Sequence, residues 1–478
     1  METTTPKPTY DELVALVAEL RAHIAKQDQR IAQLEQQLAA ANKNSRNSSK
    51  PPSSDIVKPP TPSKENGKKK KRHIGGQPGH KKPEDTLNPD DADNVVEFHA
   101  DQILDNPCLD LIPDTLQPPK TIYQYEFVDK PVQLTAYISY PYRDLKSGET
   151  IYAPFPQNIQ NAGLLGPRLS AFAACLKGGI HSSYSGVEKV LGFLGADVCR
   201  ATVCNKMKKV SAALAFPVNQ LLEILPEQER LNIDESGHAD HPFNKPADHK
   251  KHWIWVFAAA AFTVFRIFNS RSTDALREVL GADCAAIVGS DFYGAYRCFV
   301  KEANIKNQFC WAHLIRDIKF LSESTNKVTA NYGNRLLKLC RLIFHLQHRR
   351  TELGEEVFRR RMVRLKKKFL ATGQRSQAPG ARDMVARLNQ YGEEYFLFLE
   401  DPTVEPTNNL AEREVRHCVI DRRITQGTRG MAGQRWCERI WTVLATCSRQ
   451  KRDAFAFIAE SIRTYYAGEQ QPSLLPVK

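Results

Sequence analysis

Residues Arg230 to Ser236 read RLNIDES, and this short stretch decides how the rest of the chain is interpreted. Its aliphatic residues, Leu231 and Ile233, alternate with polar ones, which is the period of a half-buried β-strand. The alternation puts the carboxylate of Asp234 on the face opposite the aliphatic side chains. A carboxylate on such a strand is stabilised by a cation or a proton. The stretch therefore predicts a strand that carries a chemically active acid.

The residues that follow supply three more strand candidates and a helix. Lys251 to Phe268 is typical of two strands joined by a tight connection, and Thr273 to Leu280 has a helical pattern. Ala285 to Ser290 is an apolar run typical of a buried parallel strand, and it stops immediately before Asp291. If the first and fourth strands are neighbours in an α/β sheet, Asp234 and Asp291 lie about 5 Å apart at the backbone.

Two adjacent carboxylates repel each other, and a divalent cation relieves that repulsion. Hard oxygen ligands suit Mg²⁺ or Mn²⁺, and a pair of such ions can activate an attacking oxygen and stabilise the leaving oxygen at a phosphodiester. A third carboxylate is therefore expected further along the chain.

The positive charge of the chain is concentrated in one arm. The chain has 478 residues and a net charge of +13, a length typical of about three domains. Residues 43–82 alone carry a net charge of +10, from twelve basic and two acidic residues. This arm cannot bury a core, and it predicts a disordered linker that lies along DNA phosphates, with a solvated tether as the alternative. Its basic run consists of Lys68, Lys69, Lys70, Lys71 and Arg72.

Cysteine usage and hydropathy predict the cellular compartment. The eleven cysteines include no CxxC pair, which indicates reduced thiols rather than a disulfide framework. The residues before Leu13 are polar and do not resemble a secretory signal. The longest uncharged apolar run, Trp253 to Phe265, is too short to cross a bilayer. We expect a soluble, cytoplasmic protein.

The first residues of the chain have the pattern of a coiled coil. Apolar residues recur with 3-4 spacing from Tyr10 to Ala41, through four heptads. Dimerisation through this helix is predicted, and an amphipathic helix docked on its own chain is the alternative.

Composition and periodicity divide the chain into eight segments. They are a coiled-coil helix (1–42), the basic linker (43–90), a small β module (91–160), a helical, helix-turn-helix-like domain (161–226), the first part of the α/β core (227–320), a helical insertion (321–402), the last part of the core (403–470) and a tail (471–478).

The helical domain has the pattern of a helix-turn-helix. Arg168 to Leu176, Gly186 to Leu194 and Arg200 to Leu214 are helix candidates, and the residues from Gly195 to Asp197 separate the last two. An ordinary helical subdomain with a solvated basic face is the alternative. The side chains that the last helix would present to DNA include Arg200, Lys206 and Lys209.

A fifth strand is predicted from Lys306 to His313, followed by a helical insertion from Leu314 to Leu399. Cys310 and His313 have the spacing of metal ligands, but a packed strand end is the preferred interpretation of a single C-x-x-H. The β module contains only Cys108, so we predict no zinc site there.

Glu412 is the candidate for the third carboxylate. Asn409, three residues before it, suggests a capping box at the start of a helix. The functional interpretation of Glu412 is a metal ligand aimed at the sheet edge. The alternative is a role within its own helix, with an ion pair to Arg416 at i,i+4.

Four motifs follow one another along the chain. They are Asp234-Glu235-Ser236-Gly237, Asp291-Phe292-Tyr293 with Tyr296, Cys310-Trp311-Ala312-His313 with Arg316-Asp317, and Asn408-Asn409-Leu410-Ala411-Glu412-Arg413 with Gly427-Thr428-Arg429. Together with the coiled coil, the stretch from Asn44 to Asp55 and the GGQPGH element at Gly75 to His80, they resemble the DDE transposases of the insertion sequence sixty-six family. Their order and spacing make the resemblance specific.

The resemblance implies a ribonuclease H-like fold, a mixed sheet with a large helical insertion, in which Asp234, Asp291 and Glu412 hold two Mg²⁺ (or Mn²⁺) ions. In such enzymes water attacks a phosphodiester at the end of the element, and the freed 3′ hydroxyl attacks target DNA. The implied partners are double-stranded DNA, further copies of the chain and small accessory proteins, in a nucleoid-associated location. Arg413 and Arg416 are the DNA-contact candidates beside the third acid.

Two other functions fit the same residues. One is a DNA-binding regulator or domesticated relative that no longer cuts, and the other is a general nuclease without specificity for element ends. The chain also departs from the family pattern, because Ser236 and Phe292 replace the usual Thr and Gly. Where many members have a four-ligand zinc module, only Cys108 is kept.

Overall fold

The structure is a computed structural model that describes residues 9–41, 128, 131–139, 141–143, 150–152, 154–242 and 251–476. The chain divides into two units, residues 1–60 with 136–478, and residues 61–135. The basic run from Lys68 to Arg72, and most of the predicted β module, lie outside the described residues. The described part of that module forms a small antiparallel pair, β1 (Pro141–Arg143) and β2 (Thr150–Tyr152).

The N-terminal segment forms one long helix, α1 (Tyr10–Ala41). Leu13, Val17 and Leu20, which belong to the predicted seam, are each about half exposed, at 46%, 48% and 52%. An uncovered apolar seam is what a coiled-coil partner would bury, so the coiled coil stays a prediction. Among the described residues, no helix has both the length and the apolar character needed to span a membrane.

Helices precede the main sheet along the described chain. They are α2 (Gln157–Ala162), α3 (Pro167–Gly178), α4 (Tyr184–Phe193), α5 (Arg200–Ala213) and α6 (Ala215–Ile224). Helices α3, α4 and α5 agree with the three predicted for this region. Their buried side chains share one continuous hydrophobic core with the sheet and with the C-terminal helices. The helix-turn-helix candidate is therefore packed into the α/β unit.

The main sheet has five strands and mixed pairing. Strand β3 pairs antiparallel with β4 and parallel with β6, so the condition on which the two aspartates would be neighbours, that the first and fourth strands lie side by side, is met. The order across the sheet is β5-β4-β3-β6-β7. The strands and the two helices between them are β3 (Arg230–His238), β4 (His252–Ala258), β5 (Thr263–Phe268), α7 (Thr273–Leu280), β6 (Ile287–Ser290), α8 (Gly294–Ala303) and β7 (Asn307–Phe309).

The predicted fifth strand is too long. Strand β7 ends at Phe309, and the next residue, Cys310, is the N-cap of a helix. The chain turns there because the Trp311 amide donates to the carbonyl of Pro406, 3.0 Å away, and the Trp311 ring is fully buried. His313 therefore lies in the first turn of a helix and not in a strand.

The insertion after β7 is helical, as predicted, and has its own core. Trp311, Phe369 and Phe396 pack there with centroid separations between 5.1 and 5.9 Å. Its helices are α9 (Trp311–Ser322), α10 (Lys327–His348), α11 (Arg350–Leu353), α12 (Glu355–Gly373) and α13 (Arg382–Tyr391). The chain returns to the sheet with α14 (Asn409–Thr425), α15 (Met431–Arg449) and α16 (Ala454–Ala467).

Helix α15 covers the open edge of the sheet at β5. Three outward-facing backbone amides of β5 donate to side chains of this helix. An uncovered strand edge would pair with another chain, and here the helix satisfies its donors instead. The acceptors recur every four residues, on one face of the helix, and the three bonds are Thr263 to Thr446 Oγ1 (3.3 Å), Phe265 to Thr442 Oγ1 (3.1 Å) and Ile267 to Glu438 Oε1 (2.7 Å).

Candidate active site

Asp234 lies in the middle of β3, and Asp291 directly follows the end of the neighbouring parallel strand β6. Strands β3 and β6 align Asn232 with Gly289, and the same register carried two residues further brings Asp234 opposite Asp291. Asp234 is partly exposed, whereas Leu231 and its aliphatic neighbour on the same face are buried, as the alternation predicted. The Asp234 Oδ1 atom accepts from the next backbone amide at 3.0 Å.

Glu412 approaches the two aspartates from the first turn of α14. The N-cap of this helix is Asn408, not Asn409, and the Asn408 side chain makes no capping bond. Instead its amide donates to the carbonyl of Ile233 at 2.8 Å, and its oxygen accepts from Asn232 at 2.9 Å. The predicted capping box is therefore wrong, because Asn408 ties the start of the helix to β3, one residue before Asp234.

Glu412 contacts the insertion rather than its own helix. Its Oε1 atom lies 3.4 Å from His313 Nδ1 and 3.9 Å from Cys310 Sγ, and its Oε2 atom lies 3.8 Å from an Arg316 nitrogen. No pair with Arg416 occurs in the described part of the chain, so the alternative role within the helix has no support. Both insertion residues of the C-x-x-H motif thus converge on the third acid.

The three acids interact electrostatically. Burial raises the pKa of Asp234 well above its ordinary value, and the charges of Glu235, Asp291 and Glu412 raise it further. Burial and the charge of Glu235 raise the pKa of Asp291 to about 7, although Arg271 opposes that rise. In the described part of the chain, neither aspartate has an ion-pair partner. Their negative charges are therefore left to be balanced from outside the fold.

Glu235 is a buried acid whose role the sequence analysis missed. Its Oε1 atom accepts from Arg271 Nε at 2.6 Å, and its other oxygen accepts from the Tyr296 hydroxyl. The Arg271 guanidinium also lies 3.9 Å from the centroid of the Tyr293 ring. The signal was present in the sequence, because strict alternation puts Glu235 on the same buried face as Leu231.

Four of the candidate DNA-contact residues in the described chain are exposed. Arg200 and Lys209 lie on α5, and Arg413 and Arg416 lie on α14 next to the third acid. The Lys209 ammonium also donates to the carbonyl of Asn161 at 2.8 Å. These arginines remain available to a phosphate, and the two on α14 are near the acids.

Lys206 is placed differently. The residue is 5% exposed, and its ammonium donates to the backbone carbonyls of Ala162 and Leu165, the second at 3.0 Å. It also lies 5.4 Å from the centroid of the Tyr466 ring. Burial lowers its pKa to about 8. Lys206 therefore fastens α5 to the chain before α3, and this position does not suit the predicted phosphate contact.

The fold and site define a mixed α/β protein with three acids brought together from two strands and a helix. Residues 162–435 match the family described as "Transposase IS66 family", which is more than half of the chain, so the chain belongs to that family. This membership confirms the resemblance inferred from the motifs and supports a DNA-processing role in transposition. Residues 2–86 match a family of unknown function (DUF6444). No curated protein matches the chain.

Proposed function

We propose that this chain is a DDE-type transposase that cleaves a DNA strand and transfers it to target DNA, with Asp234, Asp291 and Glu412 as the acids of its active site. One observation carries the proposal beyond family membership. The three acids are separated by 57 and 121 residues in sequence, yet Asp291 and Glu412 both raise the pKa of Asp234 in the folded chain. Bringing carboxylates close enough to repel one another is costly, and such an arrangement is typical of a functional site.

The topology supports a ribonuclease H-like fold. Three consecutive antiparallel strands are followed by two that lie parallel to the first, in the order β5-β4-β3-β6-β7. Asp234 lies on the central strand of this sheet, and Asp291 follows its parallel neighbour. That arrangement agrees with the fold implied by the sequence resemblance.

The residues fit the divalent ions that DDE transposases generally use. All three side chains supply hard carboxylate oxygens, which suit Mg²⁺ or Mn²⁺. When bound, a pair of such ions would activate the attacking oxygen and stabilise the leaving oxygen of the phosphodiester. Neither aspartate forms an ion pair among the described residues, which leaves both carboxylates available to a metal ion.

Other residues of the chain position the acids of the proposed active site and neutralise the charge beside them. Asn408 fixes the start of the Glu412 helix against β3, and Arg271 neutralises Glu235 so that the neighbouring acid adds less charge to the centre. Arg413 and Arg416 are exposed beside Glu412 and suit contacts to DNA phosphates. The uncovered seam of α1 suits a homodimer or a larger assembly on DNA.

The assignment of Asp234 is tested by Asp234→Asn, with Asp283→Asn, an exposed acid outside the site, as the matched control. Mg²⁺- or Mn²⁺-dependent nicking of supercoiled plasmid, and cleavage of duplexes carrying the sequences that flank the gene, should be abolished in Asp234→Asn and retained in the control. DNA affinity in a band-shift assay should be nearly the same for both. A variant that cuts as well as the parent would remove Asp234 from the active site.

The rival function, a DNA-binding regulator without cutting activity, gives a different result. The parent chain would then bind DNA and leave it intact with any divalent ion, with or without accessory proteins. The presence of all three acids favours the enzyme.

A further inference from the structure

A second cluster of possible metal ligands overlaps the third acid. Cys310 Sγ, a ring nitrogen of His313 and a carboxylate oxygen of Glu412 all lie within 4.8 Å of one another, and among the described residues this is the one group of three or more His, Cys, Asp or Glu ligands that meets that limit. The three acids of the proposed active site do not meet it together. In this arrangement Glu412 is directed towards the cysteine and the histidine.

The distances are close to those of a tetrahedral metal site. Zinc ligands at about 2.0–2.3 Å with tetrahedral angles are themselves separated by about 3.3–3.6 Å. The Glu412 oxygen already lies 3.4 Å from the His313 nitrogen and 3.9 Å from the Cys310 sulfur. The remaining pair, sulfur to nitrogen, is at most 4.8 Å apart. A side-chain adjustment of about 1 Å would therefore complete the site, with one position left for water.

The surroundings of the cysteine and histidine favour a ligand there. His313 is 9% exposed, and among the described residues its Nδ1 atom has no hydrogen-bond partner, which is costly for a buried polar atom. Cys310 is 1% exposed, and its sulfur accepts the backbone amide of Asn408 at 3.2 Å, a contact that supports a metal-bound thiolate.

The donor set selects a different ion from the acid trio. A thiolate and an imidazole are soft or borderline ligands and bind Zn²⁺ or Co²⁺ far better than Mg²⁺, whereas carboxylates alone favour Mg²⁺ or Mn²⁺. We propose that Cys310, His313 and Glu412 bind one zinc-class divalent ion. Because Glu412 belongs to both sets, an ion in this site withdraws the third acid from Asp234 and Asp291. The binding stands on its own, while the inhibition that follows from it rests on the proposed function.

Co²⁺ tests the binding, because cobalt bound to a thiolate absorbs in the near ultraviolet. The metal-stripped full-length chain should take up Co²⁺ with a thiolate-to-cobalt band, and Zn²⁺ should displace it. Cys310→Ser should lose the band, and His313→Gln should bind more weakly by more than the roughly 10–100-fold that losing an outer-shell partner costs. Cys340→Ala is the matched control, because Cys340 is 2% exposed and lies outside the cluster.

Two results would overturn the site. One is a thiolate band that is unchanged in Cys310→Ser, and the other is no band in a parent chain whose circular dichroism is that of a folded protein. If Cys310→Ser fails to fold, His313→Gln decides, because it keeps the thiolate and should lose affinity all the same.

A second pair of measurements separates this site from the proposed function. Asp234→Asn should bind Co²⁺ as the parent does, although it cannot cut. Zn²⁺ at micromolar concentration should inhibit Mg²⁺-dependent nicking by the parent, and His313→Gln, compared with its own zinc-free rate, should need at least tenfold more Zn²⁺ for the same inhibition. Equal sensitivity would overturn the sharing of Glu412. A chain that binds Co²⁺ but never nicks DNA would overturn the proposed function and leave the zinc site intact.

Discussion

Asp234 and Glu235 are consecutive acids on one strand, yet the fold treats them in opposite ways. Glu235 faces inwards, where Arg271 and Tyr296 satisfy both of its oxygens. Asp234 faces the neighbouring acid Asp291, and in the described chain it has no cationic partner. The difference indicates which carboxylate the fold uses for its own stability and which one requires an external cation.

The largest effect is expected from the internally paired acid. Glu235→Gln leaves the Arg271 guanidinium without its buried counter-charge, and the free energy of unfolding should fall by about 3 kcal/mol. That is the lower end of the range for buried pairs, because the Arg271 side chain is 34% exposed. Urea unfolding measures the change. In the control Glu278→Gln, whose carboxylate is 61% exposed in its pair with Arg266, the loss should stay below about 1 kcal/mol. Equal losses would remove the distinction between a buried and an exposed pair.

The position of the unpaired acids depends on the backbone around them. A Cβ atom at Gly289 would lie 2.6 Å from Asn232 Nδ2, so Gly289→Ala should push Asn232 away from Asn408 and shift the helix that carries Glu412. We expect the DNA nicking rate to fall about tenfold, less than the roughly 100-fold that a full 1 Å displacement costs. Gly192→Ala is the control, because nothing lies within 4 Å of a Cβ there. A nicking rate equal to that of the control would show that the position of the Glu412 helix does not depend on the hydrogen bond between Asn232 and Asn408.

Removing the unpaired charge should stabilise the fold. Asp234→Asn eliminates a carboxylate whose charged form is disfavoured by burial and by its neighbours, so in EDTA it should raise the free energy of unfolding. Adding Mg²⁺ should raise the melting temperature of the parent more than that of the variant. A variant less stable than the parent in EDTA would mean that Asp234, like Glu235, has an internal role.

The smallest effect is expected at His238, which lies on the same strand as Asp234 and Glu235. Its pKa is shifted mainly by burial, so it shows the effect of burial without that of a neighbouring acid on the strand. Burial lowers its pKa to about 4, while Asp240 and Asp421 raise it and His252 and Arg422 lower it. The unfolded chain therefore binds a proton near pH 6 that the folded chain does not, and stability falls as the pH drops below the ordinary pKa of histidine. Between pH 7.5 and 6 this amounts to about 0.8 kcal/mol.

His238→Gln should remove that part of the pH dependence, provided that Gln keeps the contact with Thr428 Oγ1, which His238 Nε2 makes at 3.1 Å. Urea unfolding of the parent and the variant at the two pH values gives the comparison. An identical pH profile for both would mean that folding does not lower the pKa of His238.

The sequence predicted those parts of the molecule that depend on local pattern. The period of two in RLNIDES predicted β3, and the apolar run that stops at Asp291 predicted β6. Local signals therefore place each aspartate on its strand, whereas the pairing of those two strands was only a condition. Helices α3 to α5 and the helical insertion follow from the same kind of signal.

The parts that the sequence could not predict depend on contacts between distant residues. Asn232 and Asn408 are 176 positions apart, and neither has a pattern that reveals their hydrogen bond. Lys206 has the pattern of any basic residue on a helix face, and only the fold brings two distant carbonyls to its ammonium. His313 was assigned to the strand because Phe309, Cys310 and Trp311 form a short buried apolar run that continues from β7 into the helix start.

The insertion also sets the order in which the proposed active site is made. Asp291 and Glu412 are separated by 121 residues. At a synthesis rate of about 5–20 residues per second, a ribosome adds Glu412 roughly 6–24 s after Asp291. For that interval the nascent chain carries two of its three acids and not the last. If the proposed active site cuts DNA, it cannot do so until the first 412 of the 478 residues have been translated.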